Sequence, residues 1–375
     1  MPAAARRLVR LVVPRAARRA LRRRALDVAA HLPERRPQRD GPPRVGLVGF
    51  YQWGNYGDEL FLEVFREHLG QQFDLGTVFD SLDPPYVTAP IRDIVGDFDA
   101  IVIGGGDLVS PVRPRRHYWA TEFLRRPVFV TGVGVPTWQG GDPAVEATLR
   151  PWFQHKSIQS ITTRDIESRR WIEQHLSPRA PVASGADLVC ALTLPSVERG
   201  DDPPVLGVVV RRRHAADDLG NIRRLCARGH ELGYRVRGIV LAVGAARAGD
   251  LEVMNELGLP ERDIVVSDDL YALTRAIGEC SVLASMKFHG TVVAAMYGIP
   301  TIALIRTDKN VNFLRRIGRP DLISGLDDPE LPDHLSATMT PISADTRSEL
   351  RADATAMLAE LRDRIAVLTA GRSRR

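Results

Sequence analysis

Cysteine is nearly absent from this chain of 375 residues. Cys190, Cys226 and Cys280 are odd in number, far apart and form no C-x-x-C pair, which argues against a disulfide framework or a cysteine zinc site. They read as small buried hydrophobes in a reducing cytoplasm. No G-x-G-x-x-G follows a strand and no Gly-Lys-Ser/Thr closes a loop, so a generic dinucleotide site or a P-loop is disfavoured. H-E-x-x-H, paired metal ligands and a nucleophile elbow are missing too, and hydrolase and metalloenzyme readings gain no support. Neither a metal nor a resident cofactor is expected. An apolar run near the roughly twenty residues that span a bilayer is also lacking: Leu8, Val9, Leu11, Val12 and Val13 are interrupted by Arg10 and stopped by Pro14.

An apolar share of 44% and a charged share of 26% are those of a globular protein, and the length suggests two domains. The net charge of +5 is unevenly spread. Residues 1–40 hold twelve arginines against Asp27, Glu34 and Asp40, so the rest of the chain sums to −4, nine less than the whole. A mildly acidic body behind a basic leader does not look like a nucleic-acid binder, whose arginines would follow a folded face with aromatics between them. In the leader, Leu21, Ala25, Val28 and Leu32 fall on one helical stripe beside several arginines, a pattern suited to peripheral contact with an anionic membrane at the inner face of the cell. A disordered extension is the simpler reading.

Residues 33–43 are a linker by composition, ending the leader at 43. Strand-like apolar runs and helical patterns then alternate, which is the logic of a doubly wound α/β fold. Strands are expected at 45–50, 100–103, 128–133 and 158–163, with helices from 59 and at about 116–125, 143–155 and 166–175. A break at 194–204 precedes a second series: strands at 205–210, 236–243, 264–266, 282–285 and 301–305, with helices at about 216–231, 249–257, 269–279, 290–297 and 309–317. Two Rossmann-like domains, 44–193 and 205–320, are expected to face a cleft. The remaining 321–375 is a helical segment in which Leu350, Ala354, Met357, Leu361 and Leu368 mark a helix across the junction.

Ligands in such sheets bind outside the strand C-termini, and several unusual segments fall there. The first strand is followed by Gly54, Asn55, Tyr56, Gly57 and Asp58, a polar, glycine-punctuated loop in which Asp58 can cap a helix whose first amides favour an anion. Gly104, Gly105, Gly106 and Asp107 let a backbone with few side chains approach a ligand closely. Arg164 is placed either to contact an anion or to pair with Asp165. Arg211 is the first residue past its strand, with Arg212, Arg213 and His214 following. Lys287 and His289, two apart, share one side if the backbone is extended. Asp308 and Lys309 form another charge pair. Four cations, one imidazole and two carboxylates suit a small, highly anionic substrate.

The order of these motifs, GNYGDE at 54–59, IGGGD at 103–107, ITTRDIES at 161–168, GADLV at 185–189, VVVR at 208–211, SMKFHG at 285–290, AAMYGIP at 294–300 and DKN at 308–310, resembles the polysaccharide pyruvyl transferase family over roughly residues 44–320. The resemblance implies a glycosyltransferase-B-like pair of Rossmann-like domains. It also implies phosphoenolpyruvate as donor, with a glycan or lipid-linked saccharide as acceptor and a pyruvate ketal as product. On that pattern His289 is the general acid, and Asp58 or Asp107 is the base. The donor is held by Gly54, Asn55, Gly57, Gly105, Gly106, Arg164, Arg211, Lys287 and Lys309. Two positions depart from the family: Lys287 stands where arginine is common, and Arg306 where an aromatic often precedes the lysine. Lysine keeps the charge without the bidentate fork. A nucleotide-sugar glycosyltransferase of the same architecture and a degenerate, non-catalytic family member are the competing readings.

Overall fold

The computed structural model describes residues 41–198, 203–212 and 219–370. The leader and its amphipathic stripe lie outside the described residues, as do Arg213 and His214.

The first half is a six-stranded parallel sheet in the order β2-β1-β3-β4-β5-β6. Its strands are β1 Arg44–Val48, β2 Asp74–Thr77, β3 Ala100–Gly106, β4 Val128–Val133, β5 Ile158–Thr163 and β6 Val182–Ser184. β3 and β4 are buried throughout, as central strands covered on both faces must be. Helices α1 (Tyr56–Leu69), α2 (Ile91–Gly96), α3 (Pro143–Phe153) and α4 (Ile166–Leu176) join them. Asp142 and Asp165 cap α3 and α4 by accepting hydrogen bonds from Ala144 N and Ser168 N.

The second half is a five-stranded parallel sheet in the order β11-β10-β7-β8-β9. Its strands are β7 Val205–Val209, β8 Arg235–Ile239, β9 Ile264–Val265, β10 Val282–Ser285 and β11 Thr301–Ala303. Its helices are α5 Gly220–Glu231, α6 Arg247–Glu256, α7 Leu270–Gly278, α8 Phe288–Met296 and α9 Asp308–Arg316, followed by the long α10, Ala344–Ala370. None of the described helices is long and apolar enough to cross a membrane.

Two expected elements differ. The helix at 116–125 is only a 3-10 turn, Thr121–Arg125, because Arg115 adopts φ +28° and Tyr118 N closes back on Arg115 O at 2.9 Å. The strand at 236–243 stops at Ile239. Beyond it, Val243 N donates to Gly54 O at 2.9 Å, and Asn55 bridges Ala242.

Those bonds tie the halves together. Tyr56, wholly buried, meets Thr274 through its hydroxyl at 2.6 Å, and one hydrophobic cluster runs from Phe61 and Phe65 of α1 into Leu283 and Val292 of the second half. From the second half α10 returns to the first, burying Leu350, Ala354, Met357, Leu361 and Ile365. Met357 lies against Gly185, where a β-carbon would overlap its sulfur. Arg316 of α9 bonds Gly185 O at 2.6 Å and pairs with Asp353 of α10. The C-terminal helix therefore crosses the junction.

Candidate active site

A cavity of about 300 Å³ opens where the strand C-termini of the two halves meet. Segments following β1, β3, β4, β5, β7, β10 and β11 all contribute to its wall. Five cations, Arg115, Arg164, Arg211, Lys287 and Lys309, line it against two carboxylates, Asp58 and Asp107, so its surplus charge favours an anion. Its volume lies at the small end of ligand pockets, about 300–1,000 Å³. A larger hollow of about 460 Å³ between Trp119, Trp152 and Thr148 is mostly apolar and holds neither imidazole nor a cluster of cations; the imidazole and the clustered charges line the smaller cavity.

The loop after β1 enters the helix earlier than expected. α1 begins at Tyr56 with Asn55 in the N-cap position. Asp58 therefore lies inside the first turn instead of capping it, and accepts a hydrogen bond from Asn55 Nδ2. Gly57 explains the close fit at this turn, since a β-carbon there would overlap His289 Nδ1. Two glycines expected to touch a ligand do other work. Gly54, at φ +81°, lies against Val243 O and fastens the halves together. Gly105, at φ +75°, leaves room for the ring of Phe61. Gly106 does line the cavity, beside Asp58.

Arg164 extends from the end of β5 and pairs closely with Asp107 and, at 3.9 Å, with its neighbour Asp165, whose other carboxylate oxygen caps α4. The guanidinium is 3% exposed, lies 4.9 Å from the Phe288 ring centre and leaves its buried Nε without a hydrogen-bond partner among the described residues. Lys309 Nζ reaches the other oxygen of Asp107 at 3.0 Å. Burial alone would push the Asp107 carboxyl up, but Arg164 and Lys309 outweigh it and hold the group well below the usual carboxylate range. Asp308 makes no pair with Lys309. It crosses the cleft mouth instead, accepting from Thr137 Oγ1 at 2.6 Å and Trp138 N at 2.9 Å.

Lys287 and His289 are not on one extended strand. Lys287 is extended at φ −103°, while His289 is already in the first turn of α8. Lys287 Nζ turns to Asp250 Oδ2 at 2.6 Å and Leu241 O at 2.7 Å. Burial, only partly countered by Asp250, lowers the ammonium from its ordinary value. The imidazole of His289 is held between two carboxylate-bearing elements. Its buried Nε2 faces Asp187 Oδ2 at 3.5 Å, and its Nδ1 edge faces Gly57. At 3.5 Å the pair attracts electrostatically but is longer than a normal hydrogen bond, a separation that can close when a ligand binds. Burial works to raise the Asp187 carboxyl, but His289 and Arg164 keep it below its ordinary value. Its second oxygen accepts from Val189 N at 3.0 Å, which fixes its direction. Asp58 is the opposite case: burial dominates over His289, Asn55 and Lys309 and raises its carboxyl.

Of the residues expected from sequence, Asn55, Gly57, Asp58, Gly106, Asp107, Arg164, Arg211, Lys287, His289 and Lys309 meet at this cavity. Asp187, Asp250 and Arg115 were not anticipated. Asp187 had a signal in the GADLV segment, where a polar residue interrupts an apolar run.

A family model described as polysaccharide pyruvyl transferase matches residues 55–308, more than half of the chain and all of the expected residues that meet at the cavity except Lys309, which is one residue beyond it. No curated protein matches. Among solved structures the chain is similar to Anabaena HepE in complex with UDP-glucose, at 12% identity and a TM-score of 0.53, covering 87% of this chain and 99% of that one. It is also similar to a Listeria monocytogenes protein described as a UDP-N-acetylglucosamine 2-epimerase, at 11% identity and a TM-score of 0.51, covering 84% and 94%. At these identities the likeness is one of fold, the glycosyltransferase-B-like arrangement of two parallel sheets about a cleft.

Proposed function

The chain belongs to the polysaccharide pyruvyl transferase family, and we propose that it moves a pyruvyl group from phosphoenolpyruvate to two hydroxyls of a saccharide, free in a polymer or lipid-linked, forming a pyruvate ketal. The observation that carries this reading is the cationic cluster of Arg164 and Lys309 beside His289, in a cavity ringed by the N-termini of α1, α8 and α9. A donor with both a carboxylate and a phosphate needs such cations and helix termini to replace its water.

The reaction balances without a further reagent. His289 gives a proton to the donor's methylene carbon, so the carbon bearing the phosphate becomes oxocarbenium-like. A first sugar hydroxyl adds there and loses its proton to a carboxylate. A second hydroxyl then displaces phosphate, which leaves with the second proton, and the ketal closes. Asp58 suits the base: its raised carboxyl makes it the stronger proton acceptor, and it lies next to Gly57 and His289. Asp107 is committed to Arg164 and Lys309, and with its carboxyl held low it is a poor base; it organises the two cations. Asp187 sets the direction of His289.

Calorimetric titration with phosphoenolpyruvate beside UDP-glucose tests the reading. Binding of phosphoenolpyruvate, lost in Arg164→Ala, is expected; binding of UDP-glucose alone would move the chain to the nucleotide-sugar reading that its structural neighbour suggests.

A pH dependence follows from Asp58. A base must be ionised to act, so kcat/KM should fall as the pH drops through a value above the ordinary 3.8 of an aspartate. In Asp58→Asn the rate should be low and this acid limb absent. An unchanged limb in that variant would assign the base elsewhere.

A further inference from the structure

We propose that Trp138 is the platform on which the acceptor's sugar ring stacks. This inference rests on the reading of the protein as a transferase with a saccharide acceptor, and it locates the acceptor within the same cavity.

The lining of the cavity is of two chemical kinds. Arg164, Lys309 and Arg211 serve an anion, whereas Pro136, Trp138 and Gln139, all following β4, contribute an apolar ring and an amide. A pyranose has an apolar C–H face and a rim of hydroxyls, and an indole beside an amide complements both.

Trp138 differs from the other tryptophans of the chain. Trp53 stacks on Phe50 with ring centres 4.7 Å apart, Trp119 packs on Trp152 at 4.9 Å, and Trp171 stacks on His175 at 4.7 Å. Among the described residues Trp138 has no aromatic neighbour and is 57% exposed at the cavity wall. Its place on the wall of a polar cavity, and not its exposure alone, is what sets this ring apart from other exposed apolar side chains.

The ring is also carried on a fixed support. Its 3-10 turn, Thr137–Gln139, is closed by Gly140 N donating to Thr137 O at 2.9 Å, with Gly140 at φ +83°. The carboxylate of Asp308, from the opposite half, receives Trp138 N and Thr137 Oγ1. A turn bonded from both sides of the cleft presents the indole at little ordering cost when a ligand arrives.

The test is titration of the full chain, with and without phosphoenolpyruvate, against methyl glycosides of galactose, glucose, N-acetylglucosamine and N-acetylmannosamine. Binding is followed by calorimetry and tryptophan fluorescence in the wild type, Trp138→Ala and Trp138→Phe. The expected result is that at least one glycoside binds the wild type, binds Trp138→Ala roughly ten- to a hundredfold more weakly, the range that loss of one stacking ring gives for nucleic-acid bases, and recovers most of its affinity in Trp138→Phe. Phosphoenolpyruvate affinity should be the same in all three. Equal glycoside binding in Trp138→Ala, or no glycoside binding to the wild type, overturns the platform. Glycoside binding that depends on Trp138 in a protein that ignores phosphoenolpyruvate would keep the platform and remove the pyruvyl-transfer reading.

Discussion

His289→Gln should lower turnover by about 10²–10⁴ while leaving the affinity for phosphoenolpyruvate nearly unchanged. The size follows from what is removed: a proton delivered to carbon in the transition state has no ready substitute among neighbours that are carboxylates or cations paired with carboxylates. Asp187 accepts only, Asp107 is occupied by Arg164 and Lys309, and Lys287 faces Asp250. Ground-state binding should survive because the proposed reading gives the donor's charges to Arg164 and Lys309, neither of which touches the imidazole in the ion pairs of the site. Glutamine also keeps a polar side chain between Gly57 and Asp187, so the first turn of α8 should stay in place. Asp187→Asn separates the roles further. It should reduce turnover less than His289→Gln, because the imidazole keeps its place and loses only the carboxylate that faces its Nε2 at 3.5 Å. Single-turnover rates and donor titration on the three proteins decide this. A His289→Gln protein that turns over at the wild-type rate removes the acid from this position, and one that has lost donor affinity tenfold or more makes the histidine a binding group.

The parallel α/β plan was legible because fully buried strands must be short apolar runs and their connecting helices amphipathic; the pattern at 166–175 became Ile166–Leu176 with Asp165 at its cap. Periodicity says which face of an element is buried, but not what it is buried against. That is why the sequence offers Arg164 only an anion or its neighbour Asp165, when its closest partner is Asp107, 57 residues away, and why Asp308 reads as the mate of Lys309 when it bonds Trp138 from 170 residues away. The same limit hid Asp250, which has no motif and matters only because α6 brings it against Lys287. Loops after strands were the informative places: nearly every residue expected at the site occupies one, and the two glycines that do not touch the cavity, Gly54 and Gly105, are those whose backbone serves the packing of one element on another.

Lys287→Met should cost stability far more than donor affinity. From sequence, this lysine stands in the place of an arginine and is expected to grip the donor, so that its loss would mainly raise the donor constant. Its surroundings argue otherwise. Nζ is bonded to Asp250 Oδ2 at 2.6 Å and to Leu241 O at 2.7 Å, with both side chains close to nine-tenths buried. Two of its three donors are thus occupied within its own half of the protein. A compact ammonium fits between one carboxylate and one carbonyl, where a planar guanidinium with five donors would leave several unmet. Replacing the lysine leaves Asp250 buried without its cation, met only by the Arg212 amide at 3.1 Å, a defect that typically costs about 3–5 kcal/mol. Removing both charges should be milder: Lys287→Met with Asp250→Leu is expected to recover most of the loss, because a buried pair exchanged for packed apolar groups is often close to neutral. Denaturant unfolding of the two single variants and the double variant measures the coupling, and donor titration on the same proteins measures the grip. Phosphoenolpyruvate affinity within a few-fold of wild type in the double variant would make Lys287 a structural cation of the cavity wall. A tenfold or greater loss there, with stability restored, would return it to the donor site and leave the pairing with Asp250 as the state from which the donor releases it.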